Sequence, residues 1–194
     1  MRKTSSWLYG ISTGWVALAG LVIFFIFTAT VLPSQAAKAE EAAAGAGSPD
    51  LSFTYYPAAT LYQWADQYGA SGRQAYVRAR FTFDLAWPVV YTIFLVTSIS
   101  WTFGRGFPPH SPWRLANLLP LAAVLFDLLE NISASLVIAR FPLRTAGFDS
   151  LAGVFTLLKW FLVFASSAAL LVGIFAALAS WLRRRQTQPG QKED

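Results

Sequence analysis

The chain has 194 residues, 55% of them hydrophobic and only 13% charged, with a mean hydropathy of +0.45. Soluble domains carry about 25% charged residues, and here the charges stand as short punctuation between long apolar runs, which argues for a membrane protein. The net charge of +5 sits beside those runs and forms no patch, so nucleic acid is not expected as a partner, and the absence of cysteine excludes disulfides, thiol catalysis and thiolate metal sites.

The first apolar run, Trp7 to Leu32, is long enough to cross about 30 Å of hydrocarbon. Arg2 and Lys3 before it, with Ala37-Lys38-Ala39 after it, also fit a signal peptide and its cleavage site, but the uncharged run exceeds the usual apolar region of about 7–15 residues. A retained helix is therefore expected. Residues 33–50, PSQAAKAEEAAAGAGSPD, read as a poorly ordered Ala/Gly linker. In the Tyr-rich stretch that follows, Leu61, Trp64, Ala65 and Tyr68 share one face of a short helix, expected to lie along the bilayer surface within an outer segment spanning 33–80. Gly69 and Gly72 are expected to turn the chain into the next span.

The second span is read as 81–103, the third as 113–139 and the fourth as 151–182, followed by a polar tail at 183–194. The connector GFPPHSP contains the single histidine, His110, which reads as a solvated loop residue. The fold class is thus all-α: a polytopic four-transmembrane-helix bundle with an extracytoplasmic aromatic-rich segment between helices 1 and 2. Arg2, Lys3, Arg105, Arg114 and Arg183–Arg185 outnumber the Lys and Arg residues flanking the spans on the other side. That bias predicts a multi-pass protein of a cell (inner) membrane with both termini cytoplasmic.

Chemistry is concentrated in LFDLLENISASL. Asp127, Glu130 and Asn131 are spaced i, i+3, i+4 and share one helical face. A carboxylate facing lipid at mid-helix costs about 2.5–3.5 kcal/mol, so this face is expected to point into the bundle. Lys159 on the fourth span, and Asp84 and Tyr91 on the second, are the expected partners. Asp84 is expected near the outer surface, with Glu130, Asn131 and Lys159 about 13–15 Å deeper. Pro88 leaves the carbonyl of residue 84 without its helical donor. Arg73, Tyr76, Arg78, Arg80 and Arg140 form the candidate rim, the arginines reaching inward on long stems. Three acids facing one lysine call for a proton, a rim arginine or a cation to balance them.

These residues support three readings: binding of a small molecule, cation or lipid headgroup at an acidic cluster open to the outer side; a structural or assembly subunit with internally paired charges; or a lipid- or isoprenoid-modifying enzyme using carboxylate acid/base chemistry. Binding is preferred. No cofactor or metal is expected. Partners are the bilayer itself, a lipid or small-molecule ligand, and a membrane-protein neighbour or second copy of the chain. Tyr68, Gly69, Gly72-Arg73, Tyr76, Asp84, Pro88, Tyr91, Asp127, Glu130-Asn131 and Pro142 together resemble a pattern in small four-span bacterial integral membrane proteins of unassigned function, a resemblance that implies architecture alone.

Overall fold

The computed structural model describes residues 1–43, 45–49 and 52–186, and among them every regular element is helical. The helices are α1 (Arg2–Ile11), α2 (Gly14–Ile26), α3 (Leu32–Ala43), α4 (Ala58–Gln67), α5 (Gly69–Arg80), α6 (Phe83–Gly106), α7 (Leu119–Arg140) and α8 (Phe148–Gln186). A π-helical stretch at Phe27–Val31 joins α2 to α3, and a 3₁₀ stretch at Pro112–Leu118 leads into α7. Four helical segments, the second of them turning at 81–82 between α5 and α6, are long and apolar enough to cross a membrane: Gly14–Glu41, Gly69–Gly106, Pro112–Arg140 and Phe148–Gln186.

The segment expected as one helix from Trp7 breaks at Ser12–Thr13. Ser12 closes α1, and the Thr13 side chain accepts from Val16 N at 3.4 Å to start α2. A hydroxyl that satisfies the exposed amides of a new helix end makes this break favourable. α1 is therefore a separate helix, docked against α6 and the 3₁₀ stretch. Asn117 holds it there: Ser5 Oγ donates to Asn117 Oδ1 at 2.8 Å, and Asn117 Nδ2 donates to Ser5 O at 3.2 Å and to Ser100 Oγ at 3.1 Å. Tyr9 adds a bond from its hydroxyl to the Arg114 carbonyl at 2.8 Å.

The Ala-rich linker also departs from expectation, since helix runs on through residue 43 and packs on α5. Alanine has the highest helix propensity, so a tract lacking apolar periodicity still extends a helix already nucleated by the span before it. α6, Phe83–Gly106, lies on the stretch read as the second span, and α5 ahead of it is divided from α4 at Gly69, whose φ is +61°. Gly72, expected to share in that turn, is buried inside α5. The fourth span is longer, 39 residues, or about 58 Å at 1.5 Å per residue, so its ends stand clear of a hydrocarbon core of about 30 Å. The polar tail is helical to Gln186, and 187–194 lie outside the described residues.

α7 and α8 make the most extensive pairing, α6 packs on both, and α2 packs on α6 at the edge. The α2–α6 seam is aromatic: Phe24 stacks on Phe94 at 4.6 Å and on Trp87 at 5.7 Å, and Phe27 stacks on Phe83 at 5.8 Å. α6 and α8 approach closely at Gly173, where a Cβ would collide with Thr102 and Phe103, the small-residue contact that membrane helices favour. One end of the bundle carries α1, the 107–118 connector and the C-terminal turns of α8. The other carries α3, α4, α5 and the 141–147 connector.

At that second end the apolar face of the Tyr-rich segment is covered by protein. Leu61, Ala65 and Tyr68 are buried with Tyr56, Tyr62 and Tyr76 against Ala134, Val137, Ile138 and Ala152 of α7 and α8. Burial there satisfies both the rings and their hydroxyls. Tyr68 donates to Gly47 O at 2.7 Å, and Tyr62 accepts from Thr145 N at 2.7 Å while donating to Asp149 Oδ2 at 3.2 Å. The segment is a cap seated on the helix ends.

Asn117→Ala should leave Ser5 and Ser100 without their partner and cost about 1–3 kcal/mol. Hydrogen–deuterium exchange in detergent should show residues 2–11 opening faster while α7 stays protected; unchanged exchange in α1 would refute this docking role.

Candidate functional site

The face formed by Asp127, Glu130 and Asn131 points inward as expected, and all three are buried. Across the interface Lys159 of α8 lies buried with its ammonium 3.2 Å from Asp127 Oδ1 and in contact with Glu130 Oε2. One ammonium thus serves two carboxylates on successive turns of α7. The local sequence explains the geometry. Acids at i and i+3 stack along one face, and a single Lys on the facing helix can reach both. Ala123 and Ala134 continue that face, both fully buried, and let α8 come close.

Tyr91 of α6 closes a third side. It is buried and lies within the electrostatic reach of Asp127 and Glu130. Trp87, one turn before it, packs edge-on against its ring at 5.8 Å, linking the aromatic α2–α6 seam to the charged site. On α6 and α7, Tyr91 Oη, Thr92 Oγ1, Asn131 Nδ2 and Ser135 Oγ are buried and have no hydrogen-bond partner among the described residues. Native interiors leave few such atoms, so four on α6 and α7 form a distinctive feature.

Asp84 is placed differently from the other acids. It pairs with Arg80, four residues earlier at the end of α5, at 3.0 Å, across the turn that leads into α6. Arg80 in turn lies over the Tyr76 ring at 4.5 Å, and Tyr76 stacks on Tyr68 at 5.6 Å. Of the rim candidates, then, Arg80 and Tyr76 are buried in the junction between cap and α6. Arg73 donates to Ala65 O at 2.9 Å and lies over Phe141 at 5.0 Å. Arg78 is exposed and lines, with Arg73 and Gln74, a surface cleft of about 430 Å³ between α5 and the end of α7. Arg140 is exposed.

The cap reaches the charged site through Tyr56, whose hydroxyl accepts from Thr156 at 3.4 Å, one turn of α8 before Lys159. Tyr56, Ser135 and Thr92 escaped the sequence reading. Ser135 stands four residues after Asn131, and that spacing was the available signal; Tyr56 carried no signal, because its position depends on how the cap folds back. No group of three or more His, Cys, Asp or Glu able to hold a metal occurs among the described residues.

Lys159→Met should destabilise the protein by about 3–5 kcal/mol, because two buried carboxylates lose their counter-charge, and Lys159→Arg should retain much of the stability. Thermal unfolding in detergent measures both; Lys159→Met melting with the wild type would contradict the assignment.

No family model, curated protein or solved structure matches the chain.

Proposed function

We propose that this is a multi-pass protein of a bacterial inner membrane that binds a small cationic or hydrogen-bonding molecule, or a lipid headgroup of that character, at the Asp127–Glu130–Lys159 cluster. In this reading both termini are cytoplasmic and the aromatic cap is extracytoplasmic. The observation that carries it is two carboxylates sharing one ammonium beside Tyr91 and Asn131, whose buried Oη and Nδ2 have no hydrogen-bond partner among the described residues. The three charged groups together carry a formal charge of −1 when all are ionised, which favours a cationic or donor-rich guest. Asn131 and Tyr91 would meet its acceptors, while Asp127 and Glu130 would meet its donors. The cap, bonded to α8 through Tyr56, would govern entry.

A second reading keeps the same residues as an interhelical staple in a structural or assembly subunit. It is favoured by the ammonium's contact with both carboxylates across the α7–α8 interface. The two readings diverge under a charge exchange. Glu130→Lys combined with Lys159→Glu should restore folding if the cluster is a staple, but should not restore ligand response.

The direct test uses the purified protein with choline, ethanolamine and extracted bacterial lipids, read as shifts in melting temperature. Asp127→Asn and Glu130→Gln, each folded, should lose a stabilisation that the wild type shows with at least one of these. If both variants respond as the wild type does, the cluster is not the binding site.

A further inference from the structure

The opposite end of the bundle is chemically distinct. Among the described residues, acids occur only at positions 40, 41, 66, 84, 127, 130 and 149. None lies on α1, on the 107–118 connector or on the second half of α8. That same end carries Arg2, Lys3, Arg105, Arg114 and Arg183 to Arg185. Trp7, Trp15, Trp113 and Trp181 are all exposed there, as in the aromatic belts that mark a membrane–water boundary. Arginine packs on aromatic rings at three places around this rim: Arg105 over Trp101 at 4.1 Å, Arg114 over Tyr9 at 4.0 Å and Arg185 over Trp181 at 3.8 Å.

Between α1 and the proline-rich connector lies a cleft of about 380 Å³, within the usual range for small-ligand sites. Arg2, Ser6, His110, Ser111 and Arg114 line it, and no acid does. The Nε of Arg114 is buried and has no hydrogen-bond partner among the described residues. Burial pushes the Tyr9 phenol above its ordinary value, with the neighbouring Arg114 guanidinium acting in the opposite direction, so the ring adds a neutral hydroxyl and no negative charge. Pro109 and Pro112 restrict the backbone on either side of His110. The cleft at the other end, with Arg73 and Arg78, is a weaker candidate because Arg73 already serves Ala65 O and Phe141.

We propose that the cleft between α1 and the 107–118 connector is a binding site for a phosphate group. Arg114 and Arg2 supply the cationic forks, and Ser6, Ser111 and the His110 ring supply neutral donors. A guanidinium whose nitrogens are held at the headgroup boundary matches a phosphate in charge, planarity and hydrogen-bond geometry. The docking of α1 by Asn117 then acquires a role: it presents Arg2 and Ser6 towards the connector. The site is separate from the Asp127–Glu130–Lys159 cluster and does not depend on it.

The phosphate can come from an anionic lipid or from solution, and the full chain in detergent distinguishes the sources. Melting temperature and binding should be measured with short-chain phosphatidylglycerol, short-chain phosphatidylcholine, glycerol phosphate and inorganic phosphate. Stabilisation by phosphatidylglycerol alone assigns the site to a lipid headgroup, and stabilisation by the soluble phosphates as well assigns it to the phosphate itself. In either case Arg2→Gln and Arg114→Gln should each weaken binding about tenfold or more, and raised salt should weaken it further. Ser6→Ala, which touches no structural bond, should weaken it by a smaller factor. The proposal is overturned if no phosphate compound stabilises the wild type beyond phosphatidylcholine, or if Arg2→Gln and Ser6→Ala bind as the wild type does.

Discussion

The Lys159 ammonium, held between Asp127 and Glu130 at the α7–α8 interface, is the interaction around which the bundle is arranged. Its force comes from its surroundings. Each of these charges would be costly to leave alone inside a membrane, so once α7 and α8 are inserted neither helix can rotate its charged face away without exposing it. That constraint fixes the rotation of both helices about their axes. It also explains why the small residues Ala123 and Ala134 fall on the same face, where they let the backbones approach and the ammonium reach.

Other parts of the fold follow from that pairing. α6 contributes Tyr91 to the charged site and, through Trp87 and Phe94, carries α2 as an outer helix whose remaining surface suits lipid. The cap seals the end of the α7–α8 pair, with Tyr56 bonded to Thr156 one turn from Lys159. Arg80 and Asp84 neutralise one another at the junction of cap and α6, which keeps a third acid from adding to the negative charge of the centre. The two ends of the molecule therefore differ in kind, one closed over an acid–ammonium centre, the other basic, Trp-rimmed and cleft.

Hydropathy alone located the four helices long and apolar enough to cross a membrane, the third of them despite Asp127 and Glu130 within it. The inward direction of Asp127, Glu130 and Asn131 was also legible, since spacing and the cost of lipid exposure decide it together. What the sequence left obscure depended on competition between partners. Arg80 and Asp84 stand four apart across the α5–α6 turn, so a local pair was available, and it prevailed over the longer reach into the core. The aromatic face at Leu61, Ala65 and Tyr68 suited either the bilayer surface or a protein surface, and the helix ends of α7 and α8 offered the better match to its hydroxyls. The break at Ser12–Thr13 went unread within the first apolar run, and the bonds from Asn117 show that the chain uses it to dock α1.

The central claim is that Lys159 and Glu130 are coupled across the interface between α7 and α8. A double-mutant cycle with Glu130→Gln and Lys159→Met, read by reversible unfolding of the reconstituted protein, tests it most directly. The pair should show a coupling of about 1–3 kcal/mol, the double variant being more stable than the two single losses predict. Additivity within about 0.3–0.5 kcal/mol would mean that the two side chains do not depend on each other, and the account would fail.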